Sequence, residues 1–195
     1  MPTIATSRLL LRPWRDSDLP AFAVLNADPR VMEFFPKLLD RSESDRAAAA
    51  IRESGASRGF GLWAVEIPNA APFIGFVGLS MPRFESHFTP CVEIGWRLAF
   101  EHWNHGFATE AAQAAVRFAF EQLELDELVS FTVPANRRSR RVMERLGMSH
   151  DPADDFDHPA LPPGHPICRH VLYRLPRHRS DCAGEQPSAE PPHDR

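Results

Sequence analysis

The chain has 195 residues, 43% of them hydrophobic, and a formal net charge of -4. That length suits one domain with a core that needs no disulfide staples, and the negative balance argues against nucleic acid, whose binding rests on clustered cations that neutralise phosphates. Cys91, Cys168 and Cys182 stand far apart without a CxxC pair, which excludes a zinc knuckle or redox motif and suits a reducing cytoplasm; the apolar run at residues 9–11 is too short for a signal core, and no run reaches the ~18 residues of a membrane span.

In chain order, "RLLLRPW" reads as a strand closed by Pro13. "RDSDLPAFAVLNADP" then supplies Asp16 as a helix cap ahead of apolar residues at helical spacing. A second helix is predicted over residues 42–57, with Glu43 and Asp45 near its start, where the helix dipole favours them. The runs "GLWAVEI", "FIGFVGLSM" and "CVEIGWRL" are divided by Pro- and Asn-bearing turns and form an antiparallel meander. The third alternates: Val92, Ile94, Trp96 and Leu98 share one face, and Glu93, Gly95 and Arg97 the other, so a carboxylate points away from the apolar layer. Ala108, Ala111, Ala112, Ala115, Ala119 and Leu123 recur at helical intervals, a small-residue face able to lie close on a sheet. "ELVSFTV" is a further strand. "NRRSRRVMERLG" reads as a helix capped by Asn136 and ended by Gly147. A last strand spans residues 168–175. Residues 176–195 hold no Ile, Leu, Val or Phe, and are expected to be a disordered tail after one domain at residues 1–175.

The stretch "EHWNHGFATEAA" places Gly106 between the third strand of the meander and the alanine-rich helix. A strand, a glycine turn and a helix start aim unpaired main-chain N–H groups at one point, which is the geometry of an anion site, although a glycine there also suits a plain turn.

"TSRLLLRPW", "FIGFVGL", "VEIGWRLAFEHWNHGFATEAA" and "NRRSRRVMERLGM", in this order and spacing, resemble the GCN5-related N-acetyltransferase (GNAT) superfamily, in its ribosomal-protein alanine acetyltransferase branch, over about residues 6–175. The family's [RQ]xxGx[GA] motif falls on Trp103, Gly106 and Ala108, and tryptophan is common at the first place in this branch. The resemblance implies an α+β fold: a mixed, mostly antiparallel sheet flanked by helices, with its fourth and fifth strands splayed to admit the pantetheine arm of acetyl-CoA. The arm would pair with main-chain groups of Trp96, Arg97 and Leu98 and meet Asn136. The diphosphate would sit on the turn of Trp103, Asn104, His105, Gly106, Phe107, Ala108 and Thr109, with the Thr109 hydroxyl as an extra donor. Arg140, in the run Arg137, Arg138, Arg140 and Arg141, would lie near the 3'-phosphate; such a run is otherwise a solvated helix face or an RNA patch.

By the same resemblance Glu93 is the candidate base for the acceptor ammonium; the alternative is that it binds a partner or stabilises the sheet. The family's general-acid tyrosine aligns with Met143, which has no proton to donate, so Ser139 is the candidate to serve the leaving sulfur. The implied acceptor is a primary amine, on a small molecule or a protein N-terminus, with a homodimer left open and no membrane partner. No metal is expected: His102 and His105 lie three apart in a turn without an acidic or cysteine ligand at helical spacing. Asp155, Asp157, His158 and His165 in "DFDHPALPPGH" either select a cationic acceptor or form a proline-stiffened turn. The missing tyrosine also admits a second class, a CoA-binding regulatory module without turnover.

Overall fold

The computed structural model describes residues 1–177. The expected tail thus lies outside the described residues apart from its first two positions. Those two belong to the fold: Pro176 ends the last strand, and Arg177 donates its main-chain N–H to the Asp126 carbonyl at 2.8 Å.

Nine strands make one sheet. They are β1 (Ile4–Ala5), β2 (Leu10–Arg12), β3 (Leu62–Ile67), β4 (Ala71–Ser80), β5 (Glu93–Leu98), β6 (Glu127–Thr132), β7 (Ser149–His150), β8 (Phe156–Asp157) and β9 (Arg169–Pro176). Their order is β1-β2-β3-β4-β5-β6-β9-β7, with β8 also on β9. The meander β3-β4-β5 is antiparallel, as its turns require. Neighbours are antiparallel throughout except β5 and β6, which run parallel and pair only at Glu93 and Val129.

Four helices cover the sheet: α1 (Leu19–Ala27) and α2 (Arg41–Arg58) on the front, α3 (Phe107–Glu121) and α4 (Arg137–Arg145) on the rear. The rear interface follows from side-chain size. Ala111, Ala112, Ala115 and Ala119 are fully buried, and Ala114 nearly so, against Val77, Leu79, Ile94 and Leu98, so α3 lies close on β4 and β5. The front core is aromatic: the Trp14 and Phe22 rings meet edge to face at 4.9 Å, and Phe73 and Phe76 pack beside them.

Two helix starts differ from expectation. Asp16 does not cap α1; it opens a short 3-10 turn (Asp16–Asp18) and stays exposed. Asp18 closes that turn by accepting the Arg15 main-chain N–H at 2.7 Å. The same carboxylate is buried against Arg12, which donates to it twice at 2.8 Å, because a buried guanidinium requires a buried anion. At α2 the cap is Asp40, in a reciprocal capping box with Glu43. The start of α4 is as expected: Asn136 caps it through the Ser139 N–H, and beyond its end Gly147 takes a left-handed φ of 80°.

Candidate active site

Parallel pairing of β5 with β6 stops after one register pair, and the strands then part. The Val129 N–H donates to the Val92 carbonyl at 3.0 Å. By the period of two, the main-chain groups of Ile94, Trp96 and Leu98 face the same widening gap, whereas those of Arg97 turn to β4, so, against expectation, Arg97 is not placed to pair with a pantetheine arm through its main chain. The Leu98 carbonyl there already accepts the Trp103 indole N–H at 2.8 Å, which fixes that ring at the mouth of the gap.

Beyond Leu98 the chain turns through Asn104 and Gly106, with φ of 63° and 80°. The first main-chain bond of α3 runs from the Glu110 N–H to the Gly106 carbonyl, so the amides of Phe107, Ala108 and Thr109 have no acceptor within the helix. At Gly106 the left-handed φ excludes a β-branched side chain, and a Cβ would meet Arg8 Nη2 at 3.4 Å. Arg8 is a member of this site that sequence reasoning missed. Its Nη1 donates to the His105 carbonyl at 3.0 Å, and its guanidinium lies 4.8 Å from the Phe107 ring centre. Glu110 holds it there, accepting from Arg8 Nε at 2.7 Å, the Arg8 main chain, Thr6 and Ser7. Burial opposes ionisation of the Glu110 carboxyl, but bonds from Thr6, Arg8 and Ser7 outweigh it and hold the pKa at about 2.

At the other end of β5, Glu93 accepts the Ser80 hydroxyl at 3.1 Å. Burial pushes its carboxyl up to about 7, and the Ser80 bond only partly opposes this. Across the gap, Asn136 Nδ2 donates to Ser139 Oγ at 3.1 Å and to Thr132 Oγ1 at 2.9 Å. Ser139 Oγ therefore accepts, and its own proton is free for another partner. Met143 is 1% exposed at the base of α4. Tyr173, the chain's single tyrosine, is buried with its hydroxyl bonded to Arg140 and Glu144, and does not line the cleft.

Glu93, the β5 edge, the turn at Gly106 and the start of α4 line a cleft of about 600 Å3, and Arg8 and Glu110 brace that turn without lining the cleft. Of the site residues expected from sequence, Glu93, Trp96, Arg97, Leu98, Trp103, Asn104, Gly106, Phe107, Ala108, Thr109, Asn136 and Ser139 all reach it. Two do not. The His105 ring stacks on Phe107 at the surface, and Arg140 turns back to Tyr173 and the Pro134 carbonyl; Arg138, Arg141 and Arg145 line the cleft from α4 instead. In the loop "DFDHPALPPGH" the acids also turn away: Asp155 bonds His150 at 2.8 Å and Asp157 approaches Arg169 at 3.5 Å. His158 lines the cleft, as does His170, and burial lowers the pKa of both, so both are neutral at neutral pH. The reading of this loop as an acidic selector thus has no carboxylate in the cleft behind it. The opposite wall comes from Val31, Phe34, Phe35 and Pro36 between α1 and α2, and the Arg138–Glu33 ion pair ties that loop to α4. Among the described residues no group of three or more His, Cys, Asp or Glu is placed to hold a metal, and no helix is long and apolar enough to cross a membrane.

A widening gap in a mixed sheet, a glycine turn and a helix start with free amides define an acyltransferase that takes its acyl group from a CoA thioester. Residues 8–149 match the acetyltransferase (GNAT) domain model, and the chain belongs to that family. It is 32% identical to the FsC-acetyl coenzyme A-N(2)-transacetylase of Aspergillus fumigatus over 170 residues, 84% of this chain and 72% of the other. The crystal structure of an acetyltransferase from Agrobacterium tumefaciens superposes with a TM-score of 0.72 at 30% identity, covering 91% of this chain and 95% of that one. RimL, a ribosomal L7/L12 α-N-protein acetyltransferase solved with coenzyme A, shares the fold at a TM-score of 0.70 and 16% identity, over 90% and 98%.

Proposed function

We propose that the chain transfers the acetyl group of acetyl-CoA to a primary amine, with Glu93 as base and Ser139 as the donor to the departing sulfur. The observation that carries this reading is Glu93: among the described residues it is the single carboxylate lining the cleft, it stands where β5 and β6 part, and burial places its pKa at about 7. A carboxyl tuned to neutral pH takes a proton far better than an ordinary glutamate.

Acetyl-CoA supplies an activated thioester. The residues fit its parts: the turn at Gly106 leaves room for phosphates above the amides of Phe107, Ala108 and Thr109, and the edge of β5 from Ile94 to Leu98 faces the gap where a pantetheine arm would pair. Trp103, Arg138, Arg141 and Arg145 border the same cleft. Glu93 receives a proton from the incoming ammonium, leaving a neutral nitrogen to form the new C–N bond. The C–S bond breaks as Ser139 Oγ, oriented by Asn136, gives its proton to the sulfur and takes in return the second proton that the nitrogen sheds on becoming an amide. The acceptor is a small-molecule amine or a protein N-terminus.

Free-thiol release from acetyl-CoA, followed against a panel of primary amines, tests this. Release that depends on the amine supports transfer. Tight binding of acetyl-CoA without such release would favour the regulatory module, which the absence of a phenol in the cleft keeps in view.

A further inference from the structure

Arg97 is the group the proposed chemistry leaves unexplained. It projects from β5 on the face that carries Glu93, and it lines the cleft beneath the α1–α2 loop. The guanidinium lies 4.0 Å from the Phe35 ring centre and 5.4 Å from that of Phe76. Nη1 donates to Asn26 Oδ1 at 2.6 Å. Nε is buried without a hydrogen-bond partner, and Nη2 beside it makes no bond among the described residues. Among the described residues no carboxylate pairs with Arg97, whereas Arg30 pairs with Asp28 and Arg138 with Glu33 on the same side of the cleft. Burial draws the Arg97 pKa down to about 10, so the group is still a cation at neutral pH.

A desolvated guanidinium without a counter-ion is costly. Its unclaimed Nε and Nη2 form the side-on edge that accepts a carboxylate bidentately. Between Arg97 and Glu93 lies Gly95, where a Cβ would meet only Glu93 Oε1, at 3.8 Å. The floor between cation and carboxylate is therefore bare. Four residues along a strand separate the two Cα atoms by roughly 13 Å, which leaves Gly95 as the floor under a connecting chain.

We infer that the acceptor is a small amine bearing a carboxylate several bonds from its nitrogen, with the amine at Glu93 and the carboxylate on the Nε/Nη2 edge of Arg97. This rests on the transfer reading above. The connecting chain crosses Gly95, between the wall of Phe34 and Phe35 and the side of Phe131 and His158. A polycation has no second anion to meet in this cleft, since among the described residues Glu93 is the one carboxylate lining it.

The test compares ω-amino acids of rising length, from β-alanine to 6-aminohexanoate, each with its own primary amide, by kcat/KM for thiol release. Charged hydrogen bonds of this kind predict a preference of about 10- to 100-fold for the acid at the best length. Arg97→Gln is expected to remove the preference while binding acetyl-CoA as the wild type does, and Arg97→Lys to keep part of it. Equal rates for acid and amide in the wild type overturn the inference, and this comparison needs no variant. A matching loss of acetyl-CoA affinity in Arg97→Gln also overturns it, by assigning Arg97 to the cofactor. Turnover without a preference sinks this inference alone, whereas no turnover with any amine sinks the transfer reading as well.

Discussion

At the scale of single residues the account turns on two protons. Glu93 acts as a base only when ionised, so wild-type kcat/KM should rise with pH through about 7 and then level. Glu93→Gln should lack that limb and lose roughly 10² to 10⁴ in turnover near neutral pH, with the deficit shrinking as pH approaches the pKa of the free amine. The same burial makes a stability statement. The folded pKa lies above the unfolded value of 4.5, so the stability linked to this carboxyl is present in acid and lost as pH rises through about 7. Glu93→Gln, which never ionises, should therefore melt higher than wild type at pH 8 and equally at pH 4; an unchanged difference between the two would show a carboxyl that titrates normally. Ser139→Ala should lower turnover more than acetyl-CoA affinity, because only the departing sulfur needs the hydroxyl. Equal turnover would assign that proton to water. The alternation of "CVEIGWRL" set Glu93 apart from the apolar layer, and helix capping pointed to Asn136, whereas Ser139 was legible only through the family resemblance. Arg8 was not: its partners Glu110 and His105 are 102 and 97 residues away, and no local pattern joins them.

At the scale of elements, the meander, the alanine-faced helix and both ends of α4 could be read directly, because each rests on a local period or cap. The start of α1 could not, because the local pattern points to Asp16, whereas the buried Arg12 from β2 draws in Asp18 two residues on. That pair carries its own expectation. Asp18→Asn leaves a guanidinium that is 2% exposed with Glu66 as its remaining anion, and should cost about 1 to 3 kcal/mol in denaturant unfolding; a loss under ~0.5 kcal/mol would place the stability of this corner in the aromatic cluster of Trp14 and Phe22. The turn into α3 has a sharper requirement. Gly106→Val forces a β-branched residue to a φ of 80°, and should abolish acetyl-CoA binding by calorimetry while the protein stays folded. Unchanged affinity would remove the phosphate site from this turn.

For the whole molecule, the cleft is assembled from distant parts of the chain: the α1–α2 loop, β5, the start of α3, β6, α4 and the loop before β9. The order of these elements carried the family resemblance, and the parting of β5 from β6 follows from it. What sequence could not reveal is the charge balance of the finished cleft. Asp155 and Asp157 sit in a loop beside the acceptor side and are drawn off by His150 and Arg169, while Arg97, one more arginine in a chain with 22 basic residues, has a buried Nε with no partner among the described residues. The most direct test of the central claim is amine-dependent release of free thiol from acetyl-CoA, measured side by side in wild type and Glu93→Gln at pH 7.5. The account expects release in the wild type that scales with amine and falls by at least about 100-fold in the variant while acetyl-CoA affinity holds; wild-type release that ignores the amine, or a variant that turns over as fast, would contradict it.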